Sequence, residues 1–259
     1  MTTTKKGAVA SSDAPVLVET SDGVATVTLN DPARKNALTP ASADLLVELL
    51  NAVDADATVG ALVVRGAGGS FCSGADLSVL GSAMNDPAHE VSYDALDRIY
   101  RAFTRLGEMK VPTIAAVRGS AVGAGVNMLM ATDVRIVATN ARIISGFLKI
   151  GLHPGGGHFQ LLVQGSSREA ATVMGVLSQE ISGGRAAELG LAWEALDDEL
   201  VESRAYELAS RAGADPDLAR KAISSLRMTT PSQVPWATAL QAERAAQMWS
   251  LRRAARRRE

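Results

Sequence analysis

PTIAAVRGSAVGAGVNMLMATD, residues Pro112–Asp133, decides the fold class. Thr113–Arg118 is a short apolar, β-branched run bounded by Pro112 and Gly119, the composition of a strand buried on both faces. GSAVGAG breaks that run and opens a small-residue helix through Val126–Met130, and Asp133–Ala138 then reads as the next strand. Strand, glycine-rich turn, helix and strand in succession form the repeating unit of an α/β fold.

Upstream the same logic holds. Val16–Thr20 and Val24–Asn30 alternate around the turn Ser21-Asp22-Gly23, which predicts a hairpin. Pro40–Asp54 has amphipathic helical spacing, Ala61–Gly66 is a short apolar strand, and SFCSGADLSVLGSAMNDPAHE is a looser strip leading to a helix over Tyr93–Glu108. Downstream, Ile143 and Ile144 suggest one more short strand, and Lys149–Gly157 is a loop rich in breakers. A helix starts over Phe159–Leu162, and helices follow over Ser167–Met174, Ser182–Leu189, Asp198–Ala212, Asp215–Arg227 and Pro235–Ala255. Strands with helices first and helices alone afterwards predict an α/β core with a helical C-terminal region. The expected division is a flexible leader over residues 1–14, a core over 15–200 and a helical segment over 201–259.

Composition bounds the function. At 259 residues the chain can bury a sizeable core, and 47% hydrophobic against 21% charged residues excludes wholesale disorder. Twenty-six basic and 28 acidic side chains give a net charge of -2, so nucleic acid meets no general attraction. The basic tail ARRRE reads as a solvated helix end, with subunit contact or a distal phosphate as alternatives. No apolar run reaches the roughly 18 residues of a membrane span, and the start lacks a signal core. The single cysteine, Cys72, supplies neither an internal disulfide nor a zinc cluster, and a cytoplasmic location is expected.

Two small-residue loops follow strands: Phe71–Leu77 and Gly119–Asn127. Each places main-chain N–H groups near a helix start, where they lack an intrahelical partner. Two such donors aimed at one point hold a developing oxyanion, whereas each loop alone is an ordinary turn. GSAVGAG is neither GxGxxG nor a phosphate loop, no G-x-S-x-G elbow occurs, and His89, His153 and His158 lack HExxH spacing, so no metal site is expected.

The chain resembles the enoyl-CoA hydratase/isomerase, or crotonase, family. NDPARKNALTP at Asn30–Pro40, SFCSGADL at Ser70–Leu77, Pro112–Asp133, KIGLHPGGG at Lys149–Gly157, and Gly183–Leu191 carry the likeness over roughly residues 15–230. The resemblance implies a crotonase-like β-β-α spiral with a helical C-terminal region, acting on acyl-CoA or enoyl-CoA thioesters as a homotrimer or a dimer of trimers. It implies no cofactor beyond the coenzyme A of the substrate. By the same likeness, the N–H groups of Ala75 and Ala124 hold the thioester carbonyl. Arg34, Lys35 and Ala37, with Ala75, Asp76, Leu77 and Ala124, lie along the CoA moiety. Arg34 and Lys35 are equally read as surface charges.

The sequence departs from the family pattern at the acid–base positions. Asn127 stands where hydratases carry one glutamate and Phe147 where they carry the other; Gly155 stands where some isomerases place an acid. An amide orients water or a carbonyl but is not a carboxylate-like base. The remaining polar candidates are Asp76, read also as a helix cap, and His153 and His158, read as acid–base groups or as packing residues. Asn127 is a substrate positioner or a buried helix amide. Cys72 is a small core residue, and Met228, Trp236 and Trp249 lid the acyl pocket, join subunits or simply pack. The expected activity is hydration of a 2-enoyl-CoA in lipid or fatty acid metabolism. Double-bond isomerisation or another enolate reaction is the enzymatic alternative, and a non-catalytic acyl-CoA-binding subunit is the other.

Overall fold

The computed structural model of the protein describes residues 13–85 and 89–229. The hairpin forms as expected: β1 (Val16–Ser21) pairs antiparallel with β2 (Val24–Leu29). Helix α1 (Pro40–Ala55) starts at Thr39, whose side chain accepts from Ser42 N–H while the Ser42 hydroxyl accepts from Thr39 N–H. That reciprocal cap, with Pro40 at the first helical position, fixes the start. Strand β3 (Ala61–Gly66) follows, then α2 (Leu77–Asn85) and α3 (Glu90–Gly107), and then β4 (Thr113–Val117), which is buried at all five positions.

The chain continues through β5 (Ser120–Val122), α4 (Ala124–Met130), β6 (Val134–Ala138) and β7 (Arg142–Ile144). After these come α5 (His158–Gly165), α6 (Arg168–Ala171), β8 (Ile181–Ser182), α7 (Gly183–Glu188), β9 (Glu194–Leu196), α8 (Val201–Gly213) and α9 (Pro216–Thr229). Six strands form the main sheet in the order β1-β2-β3-β4-β6-β9, parallel from β2 onward. A second sheet runs β5-β7-β8. It is extended by single parallel bridges from Ala121 to Cys72 and from Ala75 to Leu38.

Four expectations are corrected. The region after residue 150 is not helical alone, because β9 adds a sixth strand to the main sheet and β8 a third to the small one. Three- and two-residue strands are too short to show a period-2 pattern. The loose strip after Ser70 contains α2. Ser120–Val122 is a strand rather than the opening of a helix, since its backbone pairs with Arg142–Ile144. The helix expected over Ser167–Met174 is α6, which widens into a π-turn over Thr172–Val176.

Aliphatic side chains fill the interior, as the low aromatic content demands: Leu46, Leu50, Leu62, Ile99, Leu106 and Ile136 are fully buried. Helix α8 lies across β2, β3, β4 and β6 and buries Val201, Ala205 and Ala209 there. At the end of α1, the Arg220 guanidinium of α9 donates to the carbonyls of Val53, Asp54, Asp56 and Val59, at 2.8–3.4 Å. A cation there is favourably placed at the C-terminal end of the helix and ties it to the turn that follows. No helix among the described residues is long and apolar enough to cross a membrane. The segment Pro235–Ala255, with Trp236 and Trp249, lies outside the described residues.

Candidate functional site

The first loop is built by backbone pairing on both of its edges. Phe71 and Cys72 donate their N–H groups to Ser120 O, each at 3.1 Å, and Cys72 O accepts from Val122 N–H at 2.9 Å. On the other edge, Leu38 N–H donates to Gly74 O at 2.8 Å and Asp76 N–H donates to Leu38 O at 2.9 Å. N–H groups of consecutive residues in an extended segment point to opposite sides. Asp76 N–H faces Leu38, so Ala75 N–H faces away from Leu38, toward the edge shared with the second loop. Among the described residues no acceptor pairs with it.

Asn36 anchors this arrangement from below. It is buried and left-handed (φ 58°), accepts Asp31 N–H, and donates to the carbonyls of Ala67 at 3.0 Å and Ser70 at 2.6 Å. An asparagine fits because it tolerates this backbone region and has both a donor and an acceptor to place.

The second loop abuts the first with no room to spare. Gly74 has φ +93°, and a Cβ there would lie 2.6 Å from Val122 O and 3.4 Å from Ala124 N. A Cβ on Gly125 would run into Cys72 O. Both positions therefore require glycine, one for backbone angle and space, the other for close approach alone. Ala124 is the first residue of α4, and among the described residues its N–H has no acceptor. Two unpaired main-chain donors thus sit on adjoining loops of a tightly paired seam.

One turn along α4, Asn127 enters a buried polar chain. Its Nδ2 donates to Gly155 O at 3.0 Å, so Oδ1 faces His158 Nδ1 at 2.7 Å. An amide oxygen only accepts, so Nδ1 carries the proton. Nε2 is then the acceptor for the Ser145 hydroxyl, at 2.7 Å. Asn127, His158 and Ser145 are 1%, 2% and 3% exposed. Burial pushes the His158 imidazole down to about 4, so it is neutral near pH 7. The Phe147 ring meets it edge-on, with centroids 5.0 Å apart.

Comparison with known proteins places the chain in a family. The family model described as enoyl-CoA hydratase/isomerase matches residues 19–255. The chain belongs to the enoyl-CoA hydratase/isomerase family. A Mycobacterium tuberculosis H37Rv protein named "Probable enoyl-CoA hydratase EchA14" is 40% identical over 202 residues, covering 78% of this chain and 77% of its own. The 1,2-epoxyphenylacetyl-CoA isomerase of Escherichia coli K12 is 33% identical over 220 residues, covering 83% of this chain and 84% of its own. The crystal structure of an enoyl-CoA hydratase from Polaromonas sp. JS666 superposes with a TM-score of 0.82 at 26% identity, covering 91% of each chain. The architecture is the crotonase fold, as the motifs imply.

Within this family member the other candidate residues fall into separate places. Asp76 starts α2: its carboxylate accepts from Ser78 N–H at 2.9 Å and from the Ser78 hydroxyl at 2.5 Å. Those bonds, and more weakly the Arg34 guanidinium, hold it below the usual carboxylate range, so it is ionised at neutral pH and unsuited to donate a proton. Arg34 is exposed between Asp31 at 2.7 Å and Asp76 at 3.5 Å. Lys35 is exposed and left-handed (φ 51°), with its carbonyl accepting from Ser73 N–H. Ala37 is half-buried, and Leu77 is 78% exposed at the head of α2. His153 is exposed, donates from Nδ1 to Pro154 O at 2.7 Å, and shares no hydrogen bond with Asn127 or His158. Met228 is 55% exposed on α9.

Ser145 and Tyr100 are the residues that sequence reasoning missed. Ser145 directly follows the three-residue strand β7, where nothing local distinguishes it. Tyr100 is half-buried on α3 with its hydroxyl against Gly155, next to Phe103 against Gly156. Amphipathic spacing reports only that such a residue faces inward. A separate cavity of about 400 Å³, lined by Ser167, Val173, Met174, Glu180 and Arg185 among others, includes no residue of either loop. Among the described residues no group of three or more His, Cys, Asp or Glu could hold a metal ion.

Proposed function

We propose that the N–H groups of Ala75 and Ala124 together bind the carbonyl oxygen of an acyl-CoA thioester and stabilise its enolate. The observation that carries this reading is the seam itself, with Gly74 packed beside Ala124 N and both donors unpaired. A preorganised donor aimed at a developing oxyanion is worth about 2.7–4 kcal/mol of barrier. Backbone donors make alanine fully adequate at both positions.

Hydration of a 2-enoyl-CoA is the reaction this reading names, in keeping with the relatives named as enoyl-CoA hydratases. Arg34, Lys35, Ala37 and Leu77 would flank the CoA moiety, which arrives as part of the substrate, and the working form would be a cytoplasmic trimer or dimer of trimers. A second reading, double-bond isomerisation, is favoured by the chemistry beside α4. Asn127 and Phe147 stand at the positions that the family likeness assigns to the hydratase glutamates, and the polar groups there are an amide, an imidazole and a hydroxyl.

The test is the full-length protein with short and long 2-enoyl-CoAs, followed by loss of the conjugated-thioester absorbance, with a parallel assay for 3-enoyl products. Loss of absorbance with water added at the β-carbon supports hydration; interconversion of 2- and 3-enoyl isomers supports the second reading. Failure to bind any acyl-CoA contradicts both. Combining Asn127→Glu with Phe147→Glu is expected to raise hydration if the missing carboxylates alone limit it.

A further inference from the structure

The chain from Ser145 through His158 to Asn127 has one direction of donation. The Asn127 amide is fixed by Gly155 O, this fixes the His158 proton on Nδ1, and that in turn commits the Ser145 proton to Nε2. Ser145 Oγ is thus the terminal atom: its proton points at a base and its lone pairs remain available. Hydroxyl, imidazole and orienting third group, joined by two 2.7 Å bonds, are the parts of an activated nucleophile. An amide in the third place orients the ring without adding charge, as it does in Cys-His-Asn proteases.

The chain also lies beside the proposed oxyanion donors. Gly123 N–H donates to Ile144 O at 2.9 Å, and a Cβ on Gly123 would lie 3.7 Å from Ser145 O. Ser145 therefore flanks the residue before Ala124, while Asn127 sits on the same helix as Ala124. Enolate stabilisation by the Ala75 and Ala124 N–H groups does not itself use Ser145.

We propose that Ser145, with His158 as its base and Asn127 as the group that orients the ring, is a nucleophile that cleaves acyl-CoA thioesters. This rests on the reading that Ala75 and Ala124 hold the thioester carbonyl. Ser145 Oγ attacks the carbonyl carbon as its proton passes to His158 Nε2. The tetrahedral oxyanion collapses, the C–S bond breaks, and the departing sulfur takes the proton as free CoA thiol, leaving an acyl ester on Ser145. Water then gives a proton to Nε2 and attacks the ester; the C–O bond breaks and the proton returns to Oγ. The net reaction is thioester plus water to carboxylic acid plus thiol.

The experiment uses the full-length protein in three arms. A small fluorophosphonate, which needs no CoA site, is reacted and its adduct mapped by peptide mass spectrometry. Acetyl-CoA and a longer saturated acyl-CoA are assayed for thiol release and for an acyl adduct. A non-cleavable thioether analogue of acyl-CoA is titrated for binding. The expected results are a phosphonate on Ser145 and thiol release that is lost in Ser145→Ala and falls roughly 10²–10⁴-fold in His158→Gln. Ser145→Cys, which keeps the side-chain volume close, is expected to trap a stable acyl adduct at residue 145. Absence of any phosphonate or acyl adduct on Ser145 in the wild-type protein overturns the proposal, whatever the variants do. So does thiol release that is unchanged in Ser145→Ala. Analogue binding with no adduct leaves the acyl-CoA reading standing and removes the nucleophile alone. No analogue binding removes the acyl-CoA reading and thioester cleavage with it.

Discussion

Replacing Gly74 with alanine acts on the seam between the two loops. The backbone there has φ +93°, and the new Cβ lies 2.6 Å from Val122 O, so relief to an ordinary 3.4 Å contact needs about 0.8 Å of separation. Holding alanine in that backbone region costs about 1–3 kcal/mol, and the overpacking about 1–3 kcal/mol more. The expected loss of stability is therefore roughly 2–6 kcal/mol, read as a lower midpoint at unchanged slope in urea unfolding. The same movement opens the gap between Ala75 and Ala124, and a misplacement near 1 Å costs about 10²-fold in rate. Turnover of the best acyl-CoA substrate is measured at a temperature where circular dichroism shows the variant folded. Gly190→Ala is the control: its φ is +76° with nothing within 4 Å of the added Cβ, so it carries the backbone strain without the clash. The account expects kcat/KM to collapse in Gly74→Ala and to hold in Gly190→Ala. A folded Gly74→Ala protein with kcat/KM within about twofold of wild type would refute the reasoning.

Three further outcomes are expected. His158 is held at about 4 in the folded protein against an ordinary 6.5, so the unfolded chain binds the extra proton between those values. Stability is thus full above pH 6.5 and falls by roughly 3 kcal/mol as the pH drops to about 4. Urea midpoints across that range check it, and His158→Gln should flatten the slope. Arg220→Ala should cost about 2–4 kcal/mol, because four carbonyls in the last turn of α1 and the turn after it lose a charged donor. Arg220→Lys should recover less than half of that loss in the same unfolding assay, since an ammonium lacks the planar fork. Burial pushes the Cys72 thiol up to about 12, so a thiol-reactive disulfide reagent should label it only as fast as the protein opens. Rapid stoichiometric labelling of the folded protein would contradict that environment.

The main sheet was legible except for the three-residue β9, because its other strands announce themselves. Ala61–Val64 and Ile114–Val117 are unbroken apolar runs and are buried throughout. Of the small sheet only Ile143 and Ile144 were legible, because its strands are two or three residues long and are defined by partners about 20 to 40 residues away rather than by their own pattern. The alanine donors were legible only through motif resemblance, since alanine carries no chemical signal. His158 was visible as a titratable residue beside a glycine run, but its neutral state depends on burial, which the sequence does not report. Its link to Ser145 depends on β7 ending against α5. His153, five residues earlier and equally plausible by type, is exposed and bonded to its neighbour's carbonyl. Side-chain type proposed both histidines, and tertiary placement separated them.

The most direct measurement is a crystal structure of the protein with an acyl-CoA bound. The account predicts the thioester oxygen within about 2.7–3.2 Å of the main-chain nitrogens of both Ala75 and Ala124. A carbonyl oxygen held by other donors, or out of reach of either nitrogen, would contradict it.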